Sequence, residues 1–142
     1  MIASIGVTVA AAVLVLATAF GLVRRARDGR PQTVPGDEAP AYPLDRLGVV
    51  AGTPVTLVQF SSAFCAPCRT ARLVCADVAA TVDGVRHVEV DADSHLDAVR
   101  ALAIRRTPTV LVVDGAGRVV RRAVGAPTKA HVLAAVGELV AR

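Results

Sequence analysis

Residues 2 to 23, IASIGVTVAAAVLVLATAFGLV, carry no charged side chain, and this run constrains the chain more than any other feature. As an α-helix it would be ~33 Å long, enough to cross the hydrocarbon core of a bilayer. A cleaved signal peptide is the competing reading, since Ala17-Thr18-Ala19 has the small-x-small pattern of a cleavage site. No Lys or Arg precedes the run, however, and it continues beyond that site to Val23. Residues 1–23 are therefore expected to be a retained single-pass anchor. The charge that follows is concentrated. Arg24, Arg25, Arg27 and Arg30, opposed locally only by Asp28, hold most of the formal net charge of +4. Beside a membrane span, such a cluster speaks to topology and lipid headgroups before nucleic acid. An aromatic content of 3% with no Trp argues further against modules that stack on bases.

Residues 24–43 mix Arg, Pro, Gly and acidic residues with few apolar ones and read as a mobile linker. From Leu44 the pattern becomes that of a domain, expected over 44–142. Thr53 to Phe60 is a β-branched, apolar run and predicts a buried strand. Cys65 to Val82 predicts a helix stopped by Asp83-Gly84. Val85 to Asp91 predicts a second strand. Ser94 to Ala103 predicts a helix capped by Asp93 or Ser94. Thr109 to Val113 and Arg118 to Val124 predict strands joined through Asp114-Gly115-Ala116-Gly117, a hairpin signal. Lys129 to Val140 predicts an amphipathic helix with Val132, Leu133, Val136 and Val140 on one face. The order β-α-β-α-β-β-α implies an α/β fold. Its first two strands should be parallel, its last two a hairpin, and helices should cover both faces of a mixed sheet.

The chemistry is concentrated in FSSAFCAPCRT, Phe60 to Thr70. Cys65 stands where a strand turns into a helix, and a helix N-terminus favours the thiolate, the reactive form of cysteine. Pro67 suits a first helical turn, where its missing N–H costs nothing. Cys68 lies one turn further on, close enough to close a disulfide with Cys65. That arrangement suits thiol–disulfide exchange, with Cys65 attacking and Cys68 resolving. The competing reading is half of a metal site. A zinc site needs about four ligands, commonly in two clusters. Only Cys75 and the scattered His87, His95 and His131 remain, so no metal is expected. Cys75, two turns beyond Cys68, is expected in the core as a small hydrophobe.

TLVQFSSAFCAPCR and, later, RRTPTVLVVDGAGRVVRRAVGAPTK resemble, in the right order, the two signature segments of the thioredoxin family. The resemblance covers about residues 44–142. It implies a thioredoxin-like fold, Cys65 as nucleophile, Cys68 as resolving thiol and Pro108 as the family's cis-proline. A cis X–Pro bond costs only ~0.5–1 kcal/mol, and here it would turn the Thr107 backbone towards the cysteines and an extended substrate. Gly125 resembles a groove glycine that admits substrate. The departures are specific. Phe64 replaces the usual Trp and keeps a flat apolar cover, Ala66 replaces Gly, and Ser61 replaces an aromatic residue. Leu73 stands where many members have a kinking proline. Gln59 occupies the position of the family's buried Asp, which is thought to help deprotonate the resolving cysteine. His87 aligns with a Lys that often pairs with that Asp, making Gln59 and His87 a candidate replaced pair. As a default, His87 is a partly solvated strand residue. Arg118, Arg121 and Arg122 form either a partner-binding edge or, by default, a solvated strand face.

The chain is thus expected to be a membrane-anchored thiol–disulfide oxidoreductase that reduces protein disulfides. It would be a monomer without metal or organic cofactor, fed by an electron donor such as a thioredoxin reductase, and it would not bind nucleic acid. Residues 2–23 would hold it in the membrane with the catalytic domain on the cytoplasmic side. Two alternatives are a thioredoxin-like binding scaffold without turnover and an exported reductase serving cytochrome or cell-envelope thiols.

Overall fold

A computed structural model describes residues 2–35 and 40–141. Helix α1 (Ile2–Arg27) places Arg24, Arg25 and Arg27 in its last turn, where cations complement the helix dipole. It runs past the expected boundary at Val23 because arginine is a good helix former. Its Ile5–Arg27 portion is long and apolar enough to span a membrane, and its most apolar stretch is not buried inside the protein.

The domain is a mixed five-stranded sheet built from β1 (Gln32–Thr33), β2 (Val55–Ser61), β3 (Val85–Asp91), β4 (Thr109–Asp114) and β5 (Val119–Val124), in spatial order β1-β5-β4-β2-β3. The β2–β3 pair is parallel, as their helical connection requires. The β2–β4, β4–β5 and β1–β5 pairs are antiparallel. Three helices complete the domain: α2 (Ala66–Thr81), α3 (Leu96–Ala101) and α4 (Lys129–Val140).

Every residue of β2 is buried, because both faces of the sheet are covered. Leu57 packs with Cys75 and Val78 of α2 and Val132 and Val136 of α4. On the opposite face Val58 and Phe60 pack with Ala98, Leu102 and Ile104 around α3 and with Leu44 and Leu47 of a short 3₁₀ turn. Each such side chain contributes about 1.5–3 kcal/mol on burial. The alternation that sends Leu57 to one face and Val58 to the other also sends Gln59 towards α2.

Several local expectations are corrected. Helix α3 starts at Leu96, with His95 at the cap position and no side-chain cap bond. Asp91 takes the Asp93 N–H at 3.1 Å and the Ser94 hydroxyl at 2.5 Å, so neither expected residue serves as the cap. In α4, Leu133 and Val140 are exposed, and Ala135 joins Val132 and Val136 inside.

The segment after α1 is tied to the sheet where a mobile linker was expected. Gly29 N–H donates to the Val124 carbonyl at 2.7 Å, and Val34 N–H donates to that of Val120 at 3.1 Å. The β5 edge is correspondingly covered, and its arginines are engaged within the chain. Arg121 bonds Thr33 and pairs with Glu138. Arg122 donates to the carbonyls of Leu102 at 2.7 Å and Ala103 at 3.2 Å. Arg118 pairs with Asp114 at 2.8 Å.

Candidate active site

Strand β2 ends in the core at Ser61, and four residues later the chain starts α2 with Cys65 as its N-cap. The cap is made by sulfur: Cys65 Sγ accepts the Cys68 N–H at 3.2 Å. The same N–H also donates to the Cys65 carbonyl at 3.1 Å, so an amide of the first turn is shared between that oxygen and the reactive sulfur. Pro67 occupies the first turn, as expected. Cys65 is half-buried while Cys68 is 2% exposed. The two form a disulfide with a Cα–Cα separation of 5.2 Å, so one sulfur is presented to solvent and the other lies behind it. A depression of about 430 Å³ lies over the pair, bounded by Ser62, Phe64, Arg69 and Arg72 as well as the cysteines. Phe64 is wholly exposed. It stands beside Cys65 instead of lying over it as a cover.

Beneath Cys68 lies a satisfied polar layer. Gln59 is fully buried. Its Nε2 donates to Ser61 Oγ at 2.8 Å and to the Cys68 carbonyl at 3.0 Å. Its Oε1 lies 3.1 Å from His87 Nε2. With both amide hydrogens committed, Oε1 is left to accept, so His87 Nε2 carries the proton. Burial holds the His87 imidazole below its ordinary range; Glu89 opposes the shift and Arg72 adds to it. Arg72 reaches over from α2 and grips Glu89 in a fork, Nε to Oε2 at 2.6 Å and Nη2 to Oε1 at 2.8 Å. This holds the Glu89 carboxyl below the usual range.

The Gln59–His87 pair, offered by the family resemblance as a candidate beside the default of a partly solvated His87, is in contact. His87 lies directly across from Leu57 in the parallel register, and Gln59, two residues on, shares that face. The roles of Ser61 as an acceptor for Gln59 and of Ser62 were not read. Ser61 shares the face of Gln59 two residues back on the same strand, a period-2 signal that could have marked it, whereas no spacing marks Ser62, whose partner Thr107 lies 45 residues away.

The Thr107–Pro108 bond is cis. Ser62 Oγ lies 2.9 Å from Thr107 Oγ1, bringing this loop against the start of the cysteine motif. Gly125 N–H donates to the Pro108 carbonyl at 2.8 Å. Gly125 has φ +93°, and a Cβ there would press on Arg106, Gly29 N and Asp28. The chain's own segment after α1 therefore fills the space beside it. Cys75 is fully buried in the core, as expected, and burial pushes its thiol up to about 12.

The thioredoxin family model matches residues 48–138. Among solved structures, the chloroplastic thioredoxin z is 26% identical, with a TM-score of 0.57 over 63% of this chain and 81% of that one. The thioredoxin of Malassezia sympodialis is 25% identical, with a TM-score of 0.56 over 66% and 84%. At 19% identity, a mutant thioredoxin from Halobacterium salinarum shares the fold, with a TM-score of 0.60 over 73% and 96%. No curated protein matches the chain.

Proposed function

The chain belongs to the thioredoxin family, and on that premise we propose that it is a membrane-anchored thiol–disulfide oxidoreductase that reduces protein disulfides. The observation that carries the reading is the sulfur cap. Cys65 Sγ sits at the start of a sixteen-residue helix and accepts a backbone N–H, and Cys68 lies bonded behind it.

In the reduced protein, the Cys65 thiolate attacks one sulfur of a target disulfide and expels the other as a thiolate. This leaves a mixed disulfide. The Cys68 thiolate then attacks Cys65 Sγ, re-forming the Cys65–Cys68 bond and releasing the second target thiolate. The target gains two electrons, and an external dithiol donor returns them to the cysteine pair. Phe64, exposed beside Cys65, offers an apolar contact to the target chain. Thr107 and Pro108, held against Ser62, offer a backbone edge.

The anchor is residues 1–23, and the domain faces the cytoplasm, because Arg24, Arg25 and Arg27 close the membrane-side helix at its domain end. Positive charge next to a span is retained on that side.

Insulin reduction with dithiothreitol tests the activity. Wild type should accelerate precipitation and Cys65→Ser should not. Equal rates would leave a binding scaffold as the reading. Sidedness is tested with Ala134→Cys in a Cys65→Ser/Cys68→Ser background. An impermeant maleimide should label that cysteine only after lysis, and labelling of intact cells would place the domain outside.

A further inference from the structure

We propose that the cavity between the end of α1, the juxtamembrane segment and the β5 edge is a binding site for a phosphate group, carried by an acidic phospholipid headgroup or by a soluble phosphate. The cavity measures about 800 Å³ and lies away from the cysteine pair. Its wall holds six arginines: Arg24 and Arg27 from α1, Arg30 from the segment after it, Arg105 and Arg106 from the loop before Pro108, and Arg122 from β5. One carboxylate, Asp28, also lines it.

Asp28 is taken by Arg106 at 3.0 Å, and Arg122 is spent on the carbonyls of Leu102 and Ala103. Arg24 lies over the Phe20 ring at 5.8 Å. Among the described residues, Arg27, Arg30 and Arg105 have no carboxylate partner. Like charges converging from separate segments repel one another unless an anion sits between them. The planar guanidinium fork matches phosphate oxygens better than any other side chain.

A cluster serving topology alone needs its charge only next to the span. It gives no reason for Arg105, Arg106 and Arg122 of the folded domain to face the same cavity. The depth also fits. Arg24 and Arg27 lie in the last turn of the apolar helix, which places the cavity at headgroup level, where the cytoplasmic surface is negative. Phe20, one turn further into the span, supplies an apolar wall beneath the charged ring. Occupancy would also brace the segment that contacts Gly125, and through it the Pro108 loop. The lipid source rests on the proposed span; the phosphate chemistry does not.

The test uses the full chain in a neutral detergent and native mass spectrometry, with phosphatidylglycerol and phosphatidylcholine titrated separately. Phosphatidylglycerol should bind at least tenfold more tightly. Arg30→Gln/Arg105→Gln should weaken it by roughly tenfold or more, whereas Arg25→Gln/Arg86→Gln, which removes the same charge outside the cavity, should change it by less than about twofold. Equal retention of the two lipids, or equal losses in the two double variants, would overturn the site. Displacement of bound phosphatidylglycerol by millimolar inorganic phosphate would assign the site to phosphate in general, and resistance to displacement would assign it to the lipid. Flotation with phosphatidylcholine vesicles tests the span separately. A chain that fails to float loses its anchor reading, while the micelle measurement still decides the phosphate site.

Discussion

Helix α2 carries Cys68 and Cys75, and Cys65 caps it, which sets the three cysteines in two environments. At its start Cys65 is partly solvated and caps the helix with its sulfur, with Cys68 bonded behind it over a polar layer of Gln59, Ser61 and His87. At its third turn Cys75 is sealed among Leu57, Val78 and Val132, and its thiol is pushed up to about 12. Residue type is constant and helix is constant. What differs is distance from the helix N-terminus, access to water and the polarity of the layer beneath. The fold makes a cysteine reactive by where along the helix it stands.

The sharpest way to break the contrast is to delete one thiol from each environment. Cys68→Ser should arrest turnover at a mixed disulfide on Cys65, seen as a covalent adduct by intact-protein mass spectrometry and as insulin reduction falling to background. Cys75→Ala should leave the reduction rate within about twofold and instead lower stability, by about 1 kcal/mol or more for the buried volume removed. A Cys75→Ala variant that stalled with substrate attached would erase the distinction between the two turns.

Labelling measures the same contrast without mutation. At pH 7 a thiol titrating near 12 is a thiolate only on the order of 10⁻⁵ of the time. In the reduced native protein, iodoacetamide should modify Cys65 at least ~10³ times faster than Cys75. Cys75 should react only once urea unfolds the chain. Cys68 should lag behind Cys65, since it is shielded by it. Peptide mapping over a time course decides the order, and early labelling of Cys68 would reassign the nucleophile.

The first turn was legible because its signals are local. Cysteine spacing, a proline suited to the helix start and a preceding β-branched strand all lie within fourteen residues. The buried position of Cys75 followed from the helical period, while the place of Gln59 came from the family resemblance. The segment after α1 was not legible. Gln32 and Thr33 are polar and too few to show a period, and they become a strand only because β5 offers an unpaired edge. The same holds for Arg121 and Arg122. Their sequence resembles a solvated strand face, and their partners Thr33, Glu138, Leu102 and Ala103 are set by tertiary packing.

A smaller effect is expected from the polar layer itself. Gln59 is a neutral amide whose hydrogens are already committed to Ser61 and Cys68, so it has no means of accepting a proton from the Cys68 thiol. Gln59→Asp should hasten release of product from the mixed disulfide severalfold in single-turnover stopped flow. It should also cost about 1–3 kcal/mol in urea unfolding, since a shorter carboxylate leaves the Cys68 carbonyl without its donor. Unchanged release kinetics would remove Gln59 as the brake on resolution.

The smallest effect concerns His87, the outer member of that layer. Its imidazole is lowered from 6.5 mainly by burial, so between its folded and unfolded values the unfolded chain binds a proton that the native one does not. Stability is then fully present above about pH 6.5 and declines as the pH falls through and below that point. Glu89 works in a lower window. Its carboxyl is depressed by Arg72, and its contribution is lost only as the pH falls below the ordinary carboxylate range. His87→Gln separates the two, because it keeps an N–H donor for Gln59 Oε1 and cannot titrate. Urea midpoints measured between about pH 8 and pH 5.5 should fall on acidification in wild type and stay flatter in the variant. Parallel slopes would mean that His87 does not titrate against the fold, leaving Gln59 buried beside a histidine that behaves as though solvated.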